Sequence, residues 1–304
     1  MSGAILLVGL SNVGDAVLTT PVMNALHELF PGAPLDIVAD RRSAAVYEPC
    51  PFRRQIFYKE KRAAFRGLPA LVRDLRRERY ELAVDLRTDF LVYLVRAARR
   101  LPKWRARPYG PHAVERHMGV IAALHGARPM PRASVWPRPA DEAFAAGAFP
   151  RDGRWLGLGP GAHWPPKIWP ARHFAELLSE MQTEFAGAVL FGDETDAAAA
   201  RQIAASAPLP CVNLCGRTSI LEAAAALARC DAFVGNDSGL GHLAAAAGTP
   251  TLTLFGPGDP ARYRPWGSGS AWIEAPGREL ERLRADAVAA SLRALPSRRG
   301  SADT

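Results

Sequence analysis

The chain has 304 residues, of which 48% are apolar, so it can bury one large core or two ordinary ones, and we expect two domains. No apolar run approaches the roughly 18 residues of a spanning helix, and no basic segment precedes the apolar N-terminus, so we expect a cytoplasmic, unexported protein. The four cysteines form neither a CxxC pair nor a zinc-like set with histidines, which is typical of reduced thiols.

The positive charge is concentrated in the first half of the chain. Residues 1–140 contain 23 Lys and Arg against 12 Asp and Glu, whereas residues 141–304 contain 15 against 18. This asymmetry favours an anionic partner for the first half, such as nucleic acid, an acidic membrane surface or a phosphorylated glycolipid. Because no DNA- or RNA-binding signature accompanies the charge, we expect no nucleic-acid partner.

Strand and helix patterns alternate along the first half. The predicted strands are 4–10, 35–40, 54–58, 81–86 and, with weaker support, 103–109. The predicted helices run from the turn at 11–15 to Phe30 and over about 65–79, 90–100 and 113–125. This alternation predicts an α/β fold with a parallel sheet covered on both faces.

A second alternating set follows a proline-rich segment at 127–153, which is the best linker candidate. Its predicted strands are 154–160, 188–192, 211–214, 231–234, 250–255 and 271–274. Its predicted helices are 171–185, 195–206, 219–229, 240–247 and 279–295.

We therefore expect two Rossmann-like domains, one over 1–140 and one over 150–278. A C-terminal helix is predicted at 279–295, with its return to the first domain left open, and a flexible tail at 296–304. Two similar α/β halves predict a site in the cleft between them, at the carboxyl ends of the strands.

The segment 235–257 is the centre of the predicted site. An apolar strand runs through Asp237, Ser238 and Gly239 into a helix that Gly248 ends. The free amides and the dipole of such a helix start favour an anion such as a diphosphate. The alternative is that Asp237 or Ser238 only caps the helix.

Asp15 is the candidate general base. The turn from Gly9 to Gly14 has the spacing of a phosphate-binding loop, but Asp15 and Ala16 stand where that loop needs Lys and Ser or Thr. Asp15 either interacts favourably with the dipole of its own helix or points into the cleft as a general base.

Lys167 is one of only four lysines beside 34 arginines, and it lies in a stiff loop with three prolines at 160–170. A compact ammonium suits a diphosphate oxygen, and an exposed loop lysine is the alternative. Glu194 follows another strand and either accepts from a nucleoside or starts a helix. His242 either contacts the anion proposed at the start of the helix after Asp237 or is a packed core histidine. Asp and His spacings form no metal cage, so we expect no metal and no cofactor.

Together these residues resemble glycosyltransferase family nine, the heptosyltransferases of lipopolysaccharide core assembly. The resemblance runs over most of the chain and is carried by SNVGDAVLTTPVMNALHELFPGAPLDIVAD, PGAHWPPKIWPARHFAEL, FGDE, GRTSILE and VGNDSGLGHLAAAAGTPTLTLFGPGDP. It implies a GT-B architecture in which the domain over 1–140 binds the acceptor and the domain over 150–278 binds an ADP-heptose donor. It also implies inverting, metal-independent transfer to a Kdo or heptose hydroxyl.

The resemblance also implies roles for single residues. Asp15, preceded by Gly14, matches the general base, and Lys167 matches the lysine at the donor phosphates. Further matches in the donor-binding segments are Glu194, Thr218, Asp237, Ser238, Gly239 and His242. The acceptor region, 59–117, matches only loosely; family members often carry a His where Leu18 stands.

The candidate acceptor contacts are therefore chosen by residue type alone. Arg87 and the arginines from Arg96 to Arg107 are candidates for phosphate or carboxylate contacts, with a solvated surface as the alternative for most of them. The implied partners are ADP-heptose, an anionic lipid A–Kdo type glycolipid and, transiently, the inner leaflet of the inner membrane.

Three other functions remain open on the sequence alone. The first is a GT-B transferase with another nucleotide sugar or another acceptor, either a protein or a different polysaccharide. The second is a non-catalytic nucleotide-sugar or anionic-glycan binding protein. A nicotinamide oxidoreductase is weaker because the GxGxxG fingerprint is absent.

Overall fold

The computed structural model describes residues 3–59, 67–88, 90–150 and 152–296. The chain divides into two compact units, residues 1–136 and 137–304. Each unit is a parallel sheet with helices, as the alternating pattern predicts. The predicted tail, 296–304, lies outside the described residues except for Pro296.

The sheet of the first unit has five strands in the order β3-β2-β1-β4-β5, all paired in parallel. The strands are Ala4–Val8 (β1), Leu35–Ala39 (β2), Arg53–Tyr58 (β3), Tyr80–Asp85 (β4) and Ala97–Pro102 (β5). Strand β1 is central and buried along its whole length, because its residues are apolar on both faces.

Helices cover this sheet. They are Val13–Val17 (α1), Thr20–Leu29 (α2), Arg41–Tyr47 (α3), Leu68–Leu75 (α4), Leu91–Leu94 (α5), Ala113–Met118 (α6) and Ala122–His125 (α7). The core on one face of the sheet joins Leu6 and Ala83 to Leu75 and Leu91.

Three predicted elements of the first unit are wrong. The single helix expected up to Phe30 is broken at Leu18 and Thr19 between α1 and α2, because Pro21 in the first turn of α2 cannot continue the hydrogen bonding of a preceding helix. The helix expected over 90–100 is only one turn, α5, followed by strand β5, and the strand expected over 103–109 is absent there. Arginines on β5 hid the strand pattern, and its place at the sheet edge leaves Arg99 exposed and Arg100 half-buried.

The sheet of the second unit has six strands in the order β11-β10-β9-β6-β7-β8, also parallel. They are Trp155–Gly159 (β6), Gly187–Leu190 (β7), Cys211–Asn213 (β8), Ala232–Asn236 (β9), Thr251–Phe255 (β10) and Ser270–Glu274 (β11).

The helices of this unit are Pro139–Ala148 (α8), Ala171–Glu180 (α9), Ala197–Ser206 (α10), Ile220–Leu227 (α11), Gly239–Ala246 (α12), Pro260–Tyr263 (α13) and Ala285–Arg293 (α14). Helix α8 falls inside the segment predicted as a linker, yet it packs against α11. The second unit therefore begins at Pro137 rather than near residue 150.

Helix α14 is shorter than the predicted 279–295. Two 3₁₀ turns, Pro276–Arg278 and Leu280–Arg282, precede it, and Leu283 and Arg284, with ψ values of 113° and 148°, are extended and separate the second turn from the helix. The helix packs against α9 within the second unit, and Arg293 Nε donates to Glu184 Oε1 at 2.7 Å.

Candidate active site

The amino end of α12 is the candidate anion site of the second unit. Strand β9 leads into Asp237, and Ser238 is the N-cap residue in an extended conformation. The Ser238 side chain makes no capping hydrogen bond, and its buried Oγ has no partner among the described residues. A buried hydroxyl without a partner is costly, which makes Ser238 a candidate ligand contact rather than a helix cap.

Lys167 lies beside this helix start. It ends the 3₁₀ turn Pro165–Lys167, and its Nζ forms an ion pair with Asp237 Oδ2. The Lys167 side chain is 25% exposed and the Asp237 side chain 7%, so the ammonium is the solvent-facing partner. Gly258 packs against the same carboxylate, and a side chain there would collide with Asp237 Oδ2.

Asn236 holds the Lys167 loop against β9 and is a residue that the sequence did not single out. This fully buried residue donates from Nδ2 to Pro160 O at 2.7 Å and accepts at Oδ1 from Trp169 N at 3.0 Å. The amide therefore holds both ends of the loop, since buried amides are stable only when hydrogen-bonded. A polar residue closing an apolar strand was the available signal.

Glu194 and Thr218 lie in two neighbouring turns that follow β7 and β8. Gly216, with φ 70°, donates its N–H to Gly192 O at 3.0 Å and leaves no room for a side chain beside Glu194. Glu194 is exposed and forms no side-chain hydrogen bond among the described residues. The helix start that follows Thr218 is capped by Ser219, whose Oγ accepts from Glu222 N at 3.2 Å, so Thr218 is not needed as a cap.

The turn that carries Glu194 is built by two aspartates. Asp193 accepts from the Thr195 amide at 2.8 Å, and the hydrogen bonds from Thr195 lower the pKa of Asp193. Burial raises the pKa of Asp196. Asp196 also fills the space next to Gly161, where any side chain would collide with its carboxylate. The Glu194 turn and the start of the Lys167 loop are therefore packed together.

His242 lies one turn into α12 and is 7% exposed, so the structure places it in a buried position close to the helix start. Gly239 is the first residue of α12. The second unit thus brings together Lys167, Asp237, Ser238, Gly239 and His242, with Glu194 and Thr218 in the adjoining turns.

Asp15 occupies the first turn of α1 in the first unit, directly after Gly14. Its half-buried carboxylate accepts from Asn12 Nδ2 at 3.0 Å, and its carbonyl accepts from Thr19 Oγ1 at 2.9 Å. His117 Nδ1 lies 3.2 Å from Leu18 O, and burial lowers the pKa of His117 while the charge of Asp15 opposes this effect.

Tyr47 is buried near the same turn, and a Cβ on Gly9 would come within 3.0 Å of its hydroxyl. Burial raises the pKa of Tyr47, the Asp15 charge raises it further, and the Arg87 charge lowers it. Asp15, Tyr47 and Arg87 are therefore electrostatic neighbours at the carboxyl end of the first sheet.

Arg87 is held by a carboxylate. It follows β4, and its Nη1 donates to Asp40 Oδ2 at 3.2 Å. Asp85 shapes this turn by accepting from Arg87 N at 2.9 Å and Thr88 N at 2.6 Å. The other oxygen of Asp40, Oδ1, is buried without a partner among the described residues. The acceptor role of Arg87 stays a prediction.

Two further properties concern the described residues only. None of their helices is long and apolar enough to cross a membrane. Within the same residues, no three His, Cys, Asp or Glu side chains are grouped closely enough to hold a metal ion. All four cysteines are free thiols.

Two Rossmann-like parallel-sheet units define the GT-B class of glycosyltransferases. The solved E. coli ADP-heptose lipopolysaccharide heptosyltransferase II has the same fold, with a TM-score of 0.79, 24% identity and coverage of 96% of this chain and 98% of that one. The E. coli heptosyltransferase WaaC with ADP gives a TM-score of 0.79 at 22% identity, covering 95% and 99%.

Residues 95–285 match the profile of Glycosyltransferase family 9 (heptosyltransferase). The chain belongs to this family, and it is a glycosyltransferase. It is 29% identical to lipopolysaccharide heptosyltransferase 2 of Escherichia coli K12 over 297 residues, which cover 84% of this chain and 83% of that protein. It is also 29% identical over 293 residues to lipopolysaccharide heptosyltransferase 1 of Pseudomonas aeruginosa, covering 84% and 79%.

Proposed function

We propose that this chain transfers a heptose from ADP-heptose to a hydroxyl group of the lipopolysaccharide inner core, on a Kdo or heptose residue. Family membership supports the proposal, as do relatives named lipopolysaccharide heptosyltransferase 2 and 1. The positive first half of the chain suits an anionic glycolipid acceptor. A cytoplasmic location, with transient contact to the inner leaflet, is part of the same proposal.

The single observation that carries the donor assignment is the start of α12. Here the Lys167 ammonium, the Ser238 hydroxyl and the first amides of an eight-residue helix converge. Each of these groups donates hydrogen bonds or positive charge, which is the set that a diphosphate requires. Glu194, without a side-chain partner among the described residues, is our candidate for the ribose or adenine of the nucleoside, and Thr218 for the wall of the base pocket.

The proposed reaction inverts the anomeric carbon in one displacement. The acceptor hydroxyl oxygen attacks the heptose carbon opposite ADP, the bond from that carbon to the diphosphate breaks, and ADP leaves with the electron pair. Asp15 takes the hydroxyl proton. Lys167, the Ser238 region and His242 stabilise the charge that grows on the leaving diphosphate, so the scheme needs no metal ion and no cofactor.

The test is an assay of ADP release with ADP-heptose and a deacylated Kdo-containing acceptor, followed by mass spectrometry of the product. ADP should compete with the donor better than UDP or GDP. The product's anomeric configuration, read by NMR, should be opposite to that of the donor, and the rate should survive EDTA. Donor binding without transfer to any core acceptor would contradict the proposal and favour a binding protein. Preferential competition by UDP or GDP would assign another donor.

A further inference from the structure

Residues 90–109 form one edge of the first unit, which we call the edge surface. Five large apolar side chains expose between 39% and 59% of their area there: Phe90, Tyr93, Leu94, Trp104 and Tyr109. These are five of the nine such side chains in the described part of the chain, although the segment has only 20 residues. Concentrated apolar exposure of this kind marks an interaction site.

The edge surface is also strongly basic. No Asp or Glu occurs from Phe90 to Val114, whereas this stretch contains five arginines and Lys103. All but Arg100 project their charge into solvent, and among the described residues none of these exposed cations forms an ion pair: Arg96, Arg99, Lys103, Arg105 and Arg107. Their charge is therefore available to an anionic partner.

The position of β5 in the sheet explains why apolar and basic side chains are exposed together. Strand β5 is the last strand of the sheet, so its outer side faces solvent. Arg100 turns inward and donates to Val92 O at 3.0 Å and Val95 O at 3.3 Å, which fastens α5 to β5. Beyond β5, the Arg105 guanidinium lies 4.7 Å from the centre of the exposed Trp104 ring. Apolar and cationic groups are thus presented together along an edge of about 20 Å.

We propose that the edge surface docks the protein on an anionic lipid bilayer. Trp and Tyr side chains favour the headgroup level of a bilayer, and exposed arginines are attracted to acidic headgroups. Long arginine side chains also lie along apolar surface while their charges reach phosphates. A nucleic acid would use the cations but would gain little from the exposed Leu94. This docking rests on the proposed function, since the edge surface would bring the enzyme to its lipid-borne acceptor.

Vesicle flotation tests the proposal without depending on catalysis. The full chain should float with vesicles of phosphatidylethanolamine and phosphatidylglycerol, and not with vesicles of phosphatidylcholine alone. Added salt should weaken binding, because the attraction is screened. Arg99→Glu/Arg105→Glu should lower the partition coefficient by roughly tenfold or more. The matched control is Arg76→Glu/Arg201→Glu, which makes the same charge change at two exposed arginines elsewhere.

Two tryptophan variants test the apolar contribution of the edge surface. Trp104 is 59% exposed beneath Arg105, and Trp272 on β11 is 43% exposed with the Arg264 guanidinium 5.3 Å from its ring centre. Trp104→Ala should reduce flotation several-fold and remove most of the fluorescence quenching by brominated lipids. Trp272→Ala should change neither. Trp104→Phe, which keeps an aromatic ring, should retain intermediate binding.

Equal flotation of the edge and control variants, or no flotation of the unaltered protein, would overturn the proposal. So would binding of a single-stranded RNA, lost in Arg99→Glu/Arg105→Glu, without vesicle binding. Failure of the docking proposal is distinguishable from failure of the proposed transferase function. Trp104→Ala should slow transfer to an acceptor embedded in vesicles and leave transfer to the deacylated acceptor unchanged, whereas a protein without transferase activity would show neither reaction.

Discussion

The Lys167 ammonium is paired with the Asp237 carboxylate, 70 residues later in the chain, at the start of α12. The carboxylate is the more buried partner and is backed by Gly258. We therefore expect Asp237 to act on a ligand through Lys167, because it holds the ammonium beside the helix amides and its own charge would repel a diphosphate.

Lys167→Met should lower the turnover of ADP-heptose by about 10²- to 10³-fold, because it removes one cationic group from the developing charge on the diphosphate. Steady-state kinetics would measure this loss, and Arg76→Met, at an exposed arginine of the first unit, is the control. Asp237→Asn should keep more activity than Lys167→Met, since it leaves the ammonium in place. The reverse order would show that the carboxylate itself contacts the sugar.

Asp15→Asn should lower transfer by roughly 10²- to 10⁴-fold, because the amide retains the shape of the side chain and its hydrogen bond with Asn12 but cannot take a proton. Isothermal calorimetry should show unchanged ADP affinity. Glu28→Gln, which neutralises an exposed acid on α2, is the control and should be fully active. A retained rate in Asp15→Asn would remove Asp15 from the role of base.

Asn236→Ala should lower the free energy of unfolding by about 1–3 kcal/mol and raise the KM for the donor, because it releases both ends of the Lys167 loop. Denaturant titration and kinetics would measure the two effects. Asn24→Ala is matched to it, since Asn24 Nδ2 donates to Arg132 O at 3.1 Å and Ser134 Oγ at 2.9 Å in the first unit. That variant should lose stability without a change in donor KM.

Arg278 is the one described non-glycine residue with a positive φ, at 61°, and its Nη2 donates to Pro257 O at 3.2 Å and Gly258 O at 2.5 Å. Arg278→Gly relieves backbone strain of about 1 kcal/mol while it frees the turn behind Asp237. We expect the melting temperature to be little changed and the donor KM to rise. Arg282→Gly, which removes an exposed arginine that pairs with Glu279 and donates to neither carbonyl, should leave the donor KM unchanged.

Burial lowers the pKa of His117 in the folded state, so at mildly acidic pH the unfolded chain binds more protons there. This contribution to stability is fully present above the unfolded pKa of about 6.5 and is lost as the pH falls toward the lower, folded value. Chemical denaturation across this range should show a flatter pH dependence for His117→Gln than for the unaltered chain. An identical slope would contradict the assignment. His27→Gln, at an exposed histidine, is the control.

The sequence was informative where a pattern is local. Strands β1, β6 and β9 are predicted because each is a short apolar run followed by glycine-rich turns, and the site residues follow from their place after such strands. Strand β5 was missed because its arginines obscure the alternation.

Pairings between distant residues could not be read from the sequence. The contacts of Lys167 with Asp237 and of Arg87 with Asp40 join residues brought together only by the sheets. The same is true of Asn236, whose partners at Pro160 and Trp169 belong to another strand-to-helix connection. Residue type suggested a cation at each place, but only the fold identifies the group that orients it.

The indole of Trp169, which has no exposed surface, donates from Nε1 to Leu283 O at 2.8 Å just before α14 begins. The Lys167 loop therefore rests on a segment that lies 114 residues further along the chain. During synthesis, this loop stays without that support until residue 283 has emerged, so a product truncated before it would lack one anchor of the loop even though it carries every residue that we propose as a donor contact.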